Sequence, residues 1–312
     1  MSSATHQKQN PAFYALLVLL VFMAIGPVLL MLANSFKLDV DIISGATGLI
    51  FLPTIQNYET ALCDIIWYEP DHLDFCALKF GGSFINSIII ALFSTALTLV
   101  IGCMAAYALV RFRFMGRDTV SISTLLVRMA PPAVLLVPVF GLWNNEFCID
   151  KNTMVGEWIR DTFGGRGDVC LAGTHSGIII IYVAMNLPFV IWILQSFIVQ
   201  VPRPLEEAAR VDGAGPFQVF FLVVLPLIKP GLAAAAIFTF RVAWNEYLLA
   251  SALSDRDTKT VPILIVNNMS EFNVEWGVIM ATGMLLAVPP IIFTLLASRQ
   301  IITGMTAGAV KG

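Results

Sequence analysis

The sequence predicts an all-α polytopic membrane protein with six transmembrane helices, both termini cytoplasmic, and an organised cytoplasmic loop between helices 4 and 5. Three observations predict it. The first is composition. Of 312 residues 58% are hydrophobic and only 12% charged, whereas a soluble domain carries about 25% charged residues. That is more apolar surface than one soluble core hides, and a bilayer is the simpler solvent. The second is length. Apolar segments at 12–35, 83–110, 119–142, 177–201, 227–252 and 276–298 each exceed the ~20 residues a helix needs to cross ~30 Å of hydrocarbon. None alternates with period 2, which argues against a barrel. The third is charge asymmetry. With the N-terminus inside, the inner segments hold nine cations: Lys8, Arg111, Arg113, Arg117, Arg203, Arg210, Lys229, Arg299 and Lys311. The outer loops (36–82, 143–176, 253–275) hold seven cations among sixteen acids, the bias expected of exported loops. The net charge of −3, without a basic face, gives no footing for nucleic acid.

The first span reads as a retained helix rather than a signal peptide, because its apolar run is long and no A-x-A site follows. Cys63 and Cys76 fall in the first outer loop and Cys148 and Cys170 in the second, while Cys103 lies within a span. Four exported cysteines suit an oxidising compartment. Of three possible pairings, Cys63–Cys76 with Cys148–Cys170 is preferred because each closes a short loop; four unpaired thiols are the alternative. The spacings are not of the zinc type, and no metal site is expected. Pro27, Pro131, Pro132, Pro138, Pro188, Pro289 and Pro290 interrupt the spans. Each alone is a static kink, but together they fit a moving or pathway-forming bundle.

Residues 202–226 carry the most information. Pro204 suits a first helical position. Glu206 and Glu207 sit in the first turn, where the helix dipole favours acids. Glu206–Arg210 is an i,i+4 pair and Glu207–Arg210 an i,i+3 pair. Leu205, Ala208, Ala209 and Asp212 share a small, flat face, and Gly213 ends the helix. Gly215-Pro216 starts a second helix, in which Phe217, Phe220, Phe221 and Val224 form an apolar stripe. A connector between two spans needs only a few residues. This one implies a cytoplasmic partner, the alternative being an amphipathic elbow lying on lipid.

EAARVDGA (207–214) followed by LPLIKP (225–230) resembles the EAA loop of the inner-membrane permease subunits of binding-protein-dependent ABC importers. YALVRFRFMGRD (107–118), WNEYLLA (244–250) and the tail GMTAGAVKG (304–312) resemble the carbohydrate-uptake branch. The likeness runs from about residue 83 onward; the long second outer loop and its cysteines lie outside the pattern. It implies one ABC-transporter transmembrane domain over 1–312. It also implies a coupling-helix loop at 202–226, whose 204–214 helix docks on a separate ATPase through Glu206, Glu207, Ala208, Ala209, Arg210, Asp212 and Gly213. A cytoplasmic tail, 300–312, small and flexible in composition, would reach the same partner. The chain contains no Gly-Lys and therefore no P-loop. It is read as a non-catalytic subunit with no cofactor of its own, ATP and Mg residing on an ABC ATPase dimer. A second related permease, a periplasmic or lipid-anchored solute-binding protein and membrane lipid complete the implied partners, in the cell inner membrane.

Polar groups inside spans are candidates for the substrate pathway: Arg128, Asn186, Arg241, Trp244, Asn245 and Glu246. An interhelical Arg–Glu pair that merely sets packing is the alternative, as is a packing role for Trp244. The expected solute is a sugar or sugar derivative. Two arginines against one glutamate raise the alternative of an acidic (phospho- or sulfo-) sugar. An ion-coupled secondary transporter is less well supported, because no clear inverted repeat and no carboxylate relay are present.

Overall fold

The structure, a computed structural model, describes residues 11–45, 48, 50–66, 79–146, 148–149, 169–269 and 274–309. Long Leu, Ile, Val, Phe and Ala runs form helices because hydrocarbon leaves no other partner for backbone N–H and C=O groups. Helices α1 (Pro11–Ser35), α2 (Phe80–Arg111), α5 (His175–Gln200) and α10 (Trp276–Ala309) are long and apolar enough to cross a bilayer. Two bent pairs bring the number to six if each is one span. Helix α3 (Arg117–Arg128) meets α4 (Pro132–Gly141) at a 97° bend, and α7 (Pro216–Leu227) meets α8 (Lys229–Trp244) at 76°. Between α5 and α7 lies α6 (Arg203–Val211), and α9 (Leu248–Leu253) follows α8.

Three features depart from the sequence reading. The 119–142 segment is two helices rather than one. Pro131 takes an extended conformation, φ −68° and ψ 141°, the conformation that a following proline favours. The 227–252 segment stops being helical after Trp244, where Asn245 turns the chain before α9. The tail expected to be flexible from residue 300 continues α10 as helix through Ala309. Pro188, by contrast, is carried inside α5, and Pro27, Pro289 and Pro290 inside α1 and α10.

The chain forms two compact units, Met1–Lys79 with Asn267–Leu286, and Phe80–Val266 with Ala287–Gly312. In the first, Asn57 is buried and donates through Nδ2 to the carbonyls of Ser35 (2.9 Å) and Lys37 (2.7 Å). The Ser35 and Tyr58 hydroxyls lie 2.8 Å apart, and Gly277 N donates to Asp39 Oδ1 at 2.6 Å. The apolar side chains of α1 from Phe13 to Leu30 are exposed, the condition of a helix facing lipid or another subunit. Cys63 is disulfide-bonded; its expected partner Cys76 lies outside the described residues.

In the second unit α2 packs along α5, around buried Cys103, Ala106, Val190, Leu194 and Ile198. Helix α8 closes on α5 where it has no side chain: a Cβ on Gly231 would lie 2.4 Å from the Phe197 ring. Close backbone approach of this kind is how membrane helices gain packing energy, since lipid is as apolar as their side chains. Phe240 stacks on Phe293 at 4.2 Å between centroids, tying α8 to the later part of α10. Outside the helices, a two-residue antiparallel ladder pairs Cys148–Ile149 with Val169–Cys170. Its register sets Cys148 opposite Cys170.

Candidate functional site

Two places gather the polar residues singled out by the sequence. The first is the turn that holds α6. Pro202 and Pro204 open the helix, and it closes in a Schellman arrangement. Gly213 has φ +88°, its N–H bonds the Arg210 carbonyl at 3.0 Å, and Ala214 N bonds the Ala209 carbonyl at 2.9 Å. The positive φ is what makes glycine necessary at 213.

The carboxylate of Glu206 turns inward and is buried. Arg111, the last residue of α2, donates from Nε to Glu206 Oε1 at 2.6 Å. The same guanidinium donates from Nη2 to the carbonyls of Ile198 (3.0 Å) and Val201 (2.8 Å), at the end of α5. Tyr107 donates its hydroxyl to Glu206 Oε2 at 3.2 Å. One cation thus joins the ends of α2 and α5 to the start of α6. It also sits where a helix C-terminus is electrostatically favourable to it. The i,i+4 partner Arg210 is farther, 4.0 Å, and more than half exposed.

With Glu206 turned in, the rest of α6 faces out. Leu205, Glu207, Ala208, Asp212 and Gly213 are exposed, Ala209 is half-buried, and Val211 is 88% exposed. The apolar stripe of the following helix divides. Phe220 and Val224 are buried, Phe220 against Tyr107 at 5.0 Å, whereas Phe217 and Phe221 are exposed.

The second place is the break between α3 and α4. A cavity of about 290 Å³ is lined there by Arg128, Pro132, Met185, Asn186, Phe189 and Phe238, among others. The Arg128 guanidinium lies over the Phe189 ring, 4.0 Å from its centroid, and 5.2 Å from that of Phe238. Asn186 is buried and donates to the Tyr182 carbonyl at 2.9 Å. Among the described residues no carboxylate pairs with Arg128 or Arg241.

The other pathway candidates lie elsewhere. Trp244 is 1% exposed, with its ring packed between Phe84 (5.8 Å) and Phe240 (5.7 Å). Among the described residues these contacts give Trp244 a packing environment. Asn245 caps the end of α8 by donating to the Arg241 carbonyl at 2.9 Å. Glu246 accepts the Leu249 and Ala250 N–H groups at 2.9 and 3.0 Å, and the Tyr182 hydroxyl at 2.8 Å. It caps α9 and is fully engaged there. The residue that sequence reasoning missed is Arg111. It reads as one more inner-face cation, and nothing in the spacing relates it to Glu206.

Residues 98–303 match the family described as "Binding-protein-dependent transport system inner membrane component". The chain belongs to this family. It is an ABC importer permease, a multi-pass protein of the inner membrane. The permease is 36% identical over 236 residues to the trehalose transport system permease SugB of Mycobacterium tuberculosis, covering 75% of this chain and 78% of that one. It is 31% identical to the diacetylchitobiose uptake permease DasC of Streptomyces coelicolor, over 95% of both. The sulfoquinovosyl glycerol permease SmoH of Agrobacterium fabrum is also 31% identical, over 96% of this chain and 93% of that one. In fold it is similar to a chain of a bacterial ABC transporter that imports the acidic polysaccharide alginate. That likeness has a TM-score of 0.65, at 20% identity, covering 96% of this chain and 98% of the other.

Proposed function

We propose that this permease, with a second related permease, forms the pathway through which an ATP-driven importer moves a sugar or sugar derivative across the cytoplasmic membrane by alternating access. Helix α6 is the element that docks on a separate ABC ATPase dimer, which binds ATP and Mg. A periplasmic or lipid-anchored binding protein delivers the solute from the other side. The observation that carries this reading is the division of labour within α6. Glu206 faces inward onto Arg111, while Ala208, Val211, Asp212 and Gly213 are exposed, uncovered by any of the described residues. A helix bolted on one side and bare on the other transmits a push from a partner to the ends of α2 and α5. The sugar class is supported by the trehalose and diacetylchitobiose permeases among the relatives. The sequence contains no P-loop, which supports the reading that ATP is hydrolysed by another polypeptide.

The reading is tested by affinity purification from native membranes, with mass spectrometry of the chains that accompany the permease. A chain bearing a Walker sequence should accompany the wild type and fall at least tenfold with Glu207→Lys plus Gly213→Pro. A wild-type preparation without any such chain contradicts it.

A further inference from the structure

We infer that the cavity at the break between α3 and α4 is a subsite for an anionic group, a carboxylate or sulfonate carried by the transported glycoside, and that Arg128 is the residue that binds it. The inference rests on the importer reading and deepens it by naming the charge of the solute.

Four observations carry it. Arg128 ends α3 at the 97° bend of a helix pair that is apolar enough to be one span, where an arginine would cost about 2.5–3.5 kcal/mol on insertion scales. Such a residue is retained for a partner, yet among the described residues none of its five N–H donors is used. Its guanidinium carbon instead lies over Phe189, 4.0 Å from the ring centroid, and the Phe189 and Phe238 centroids are 3.9 Å apart. Contact with an aromatic face leaves the guanidinium N–H groups for a planar or tetrahedral oxyanion. Asn186, on the same wall, spends Nδ2 on Tyr182, and among the described residues its Oδ1 accepts no hydrogen bond, which suits a sugar hydroxyl. Glu246 is not among the residues that line the cavity, and its oxygens accept from the α9 N-terminus and Tyr182 instead. The cavity is thus cationic, aromatic-walled and of a size near the lower end of ligand sites.

The experiment uses the intact complex in nanodiscs and measures, by mass spectrometry, the rate at which phenylglyoxal modifies Arg128. Methyl glucuronide and methyl sulfoquinovoside, at millimolar concentration and matched ionic strength, should each slow modification at least threefold. Methyl glucoside should slow it less than twofold, and modification of Arg113 should not respond to any of them. Equal protection by the neutral and acidic glycosides overturns the proposal. So does an Arg128 that is unreactive before any glycoside is added, combined with loss of complex stability in Arg128→Gln; a carboxylate of the second permease would then be its partner. Failure of the importer reading is distinguishable, because the preparation would then lack ATP hydrolysis altogether. In whole-cell uptake, Arg128→Gln should lose about ten- to a hundredfold in discrimination between acidic and neutral glycosides, the range of a charge-assisted hydrogen bond.

Discussion

Glu206→Ala is expected to be among the most damaging single substitutions in the described part of this permease. It leaves the Arg111 guanidinium buried with two carbonyls but no counter-charge. Removing one member of a buried ion pair costs about 3–5 kcal/mol, because the remaining charge is uncompensated. The thermal midpoint of the purified protein should fall accordingly. ATP-driven uptake should drop at least tenfold while the partner ATPase still hydrolyses, because the helix that transmits its motion is no longer fastened. Replacing both partners, Arg111→Met with Glu206→Leu, should recover part of the stability. The recovery is partial because the Ile198 and Val201 carbonyls lose their donor. A Glu206→Ala protein as stable as wild type contradicts the junction.

Glu246→Ala is expected to destabilise by about 2 kcal/mol or more, without a specific effect on solute affinity. Its two oxygens accept from consecutive N–H groups of α9 and from Tyr182. A single lost cap costs about 1 kcal/mol, and a hydrogen bond to a charged group about 1.5–3 kcal/mol. Glu246→Gln keeps an acceptor and should lose less than half as much. Melting curves alongside uptake kinetics separate the roles. A substrate ligand would raise the uptake KM with the midpoint unchanged, and that result would show Glu246 to be a pathway residue after all.

The apolar runs and the punctuation of α6 were legible in the sequence, because both are local. Twenty apolar residues make a helix whatever surrounds them. Pro202, Pro204 and Gly213 bound α6 through their own backbone constraints. The size of a break was not legible. Pro188 lies within an unbroken α5 and the paired Pro289 and Pro290 within α10, whereas Pro131 and Pro132 bend their span by 97°, so the prolines alone do not set the size of a break. Long-range partners were not legible either. Arg111 and Glu206 are 95 residues apart, and charge counting assigns Arg111 only to the inner face. Trp244 and Glu246 sit in a motif that reads as polar and aromatic pathway lining. The fold spends one on core packing and the other on a helix end. Arg128 meets two aromatic rings and, among the described residues, no acid, a setting its place in the sequence does not reveal.

The central claim is that the outward face of α6 is where the ATPase docks. Placing a photoreactive amino acid at Val211 tests it most directly, with the same probe at Val18, 64% exposed on α1, as control. Irradiation of native membranes should join the Val211 probe, and not the Val18 probe, to a chain that carries a P-loop. An active complex in which Val211 yields no such adduct, or in which both positions yield it equally, contradicts the account.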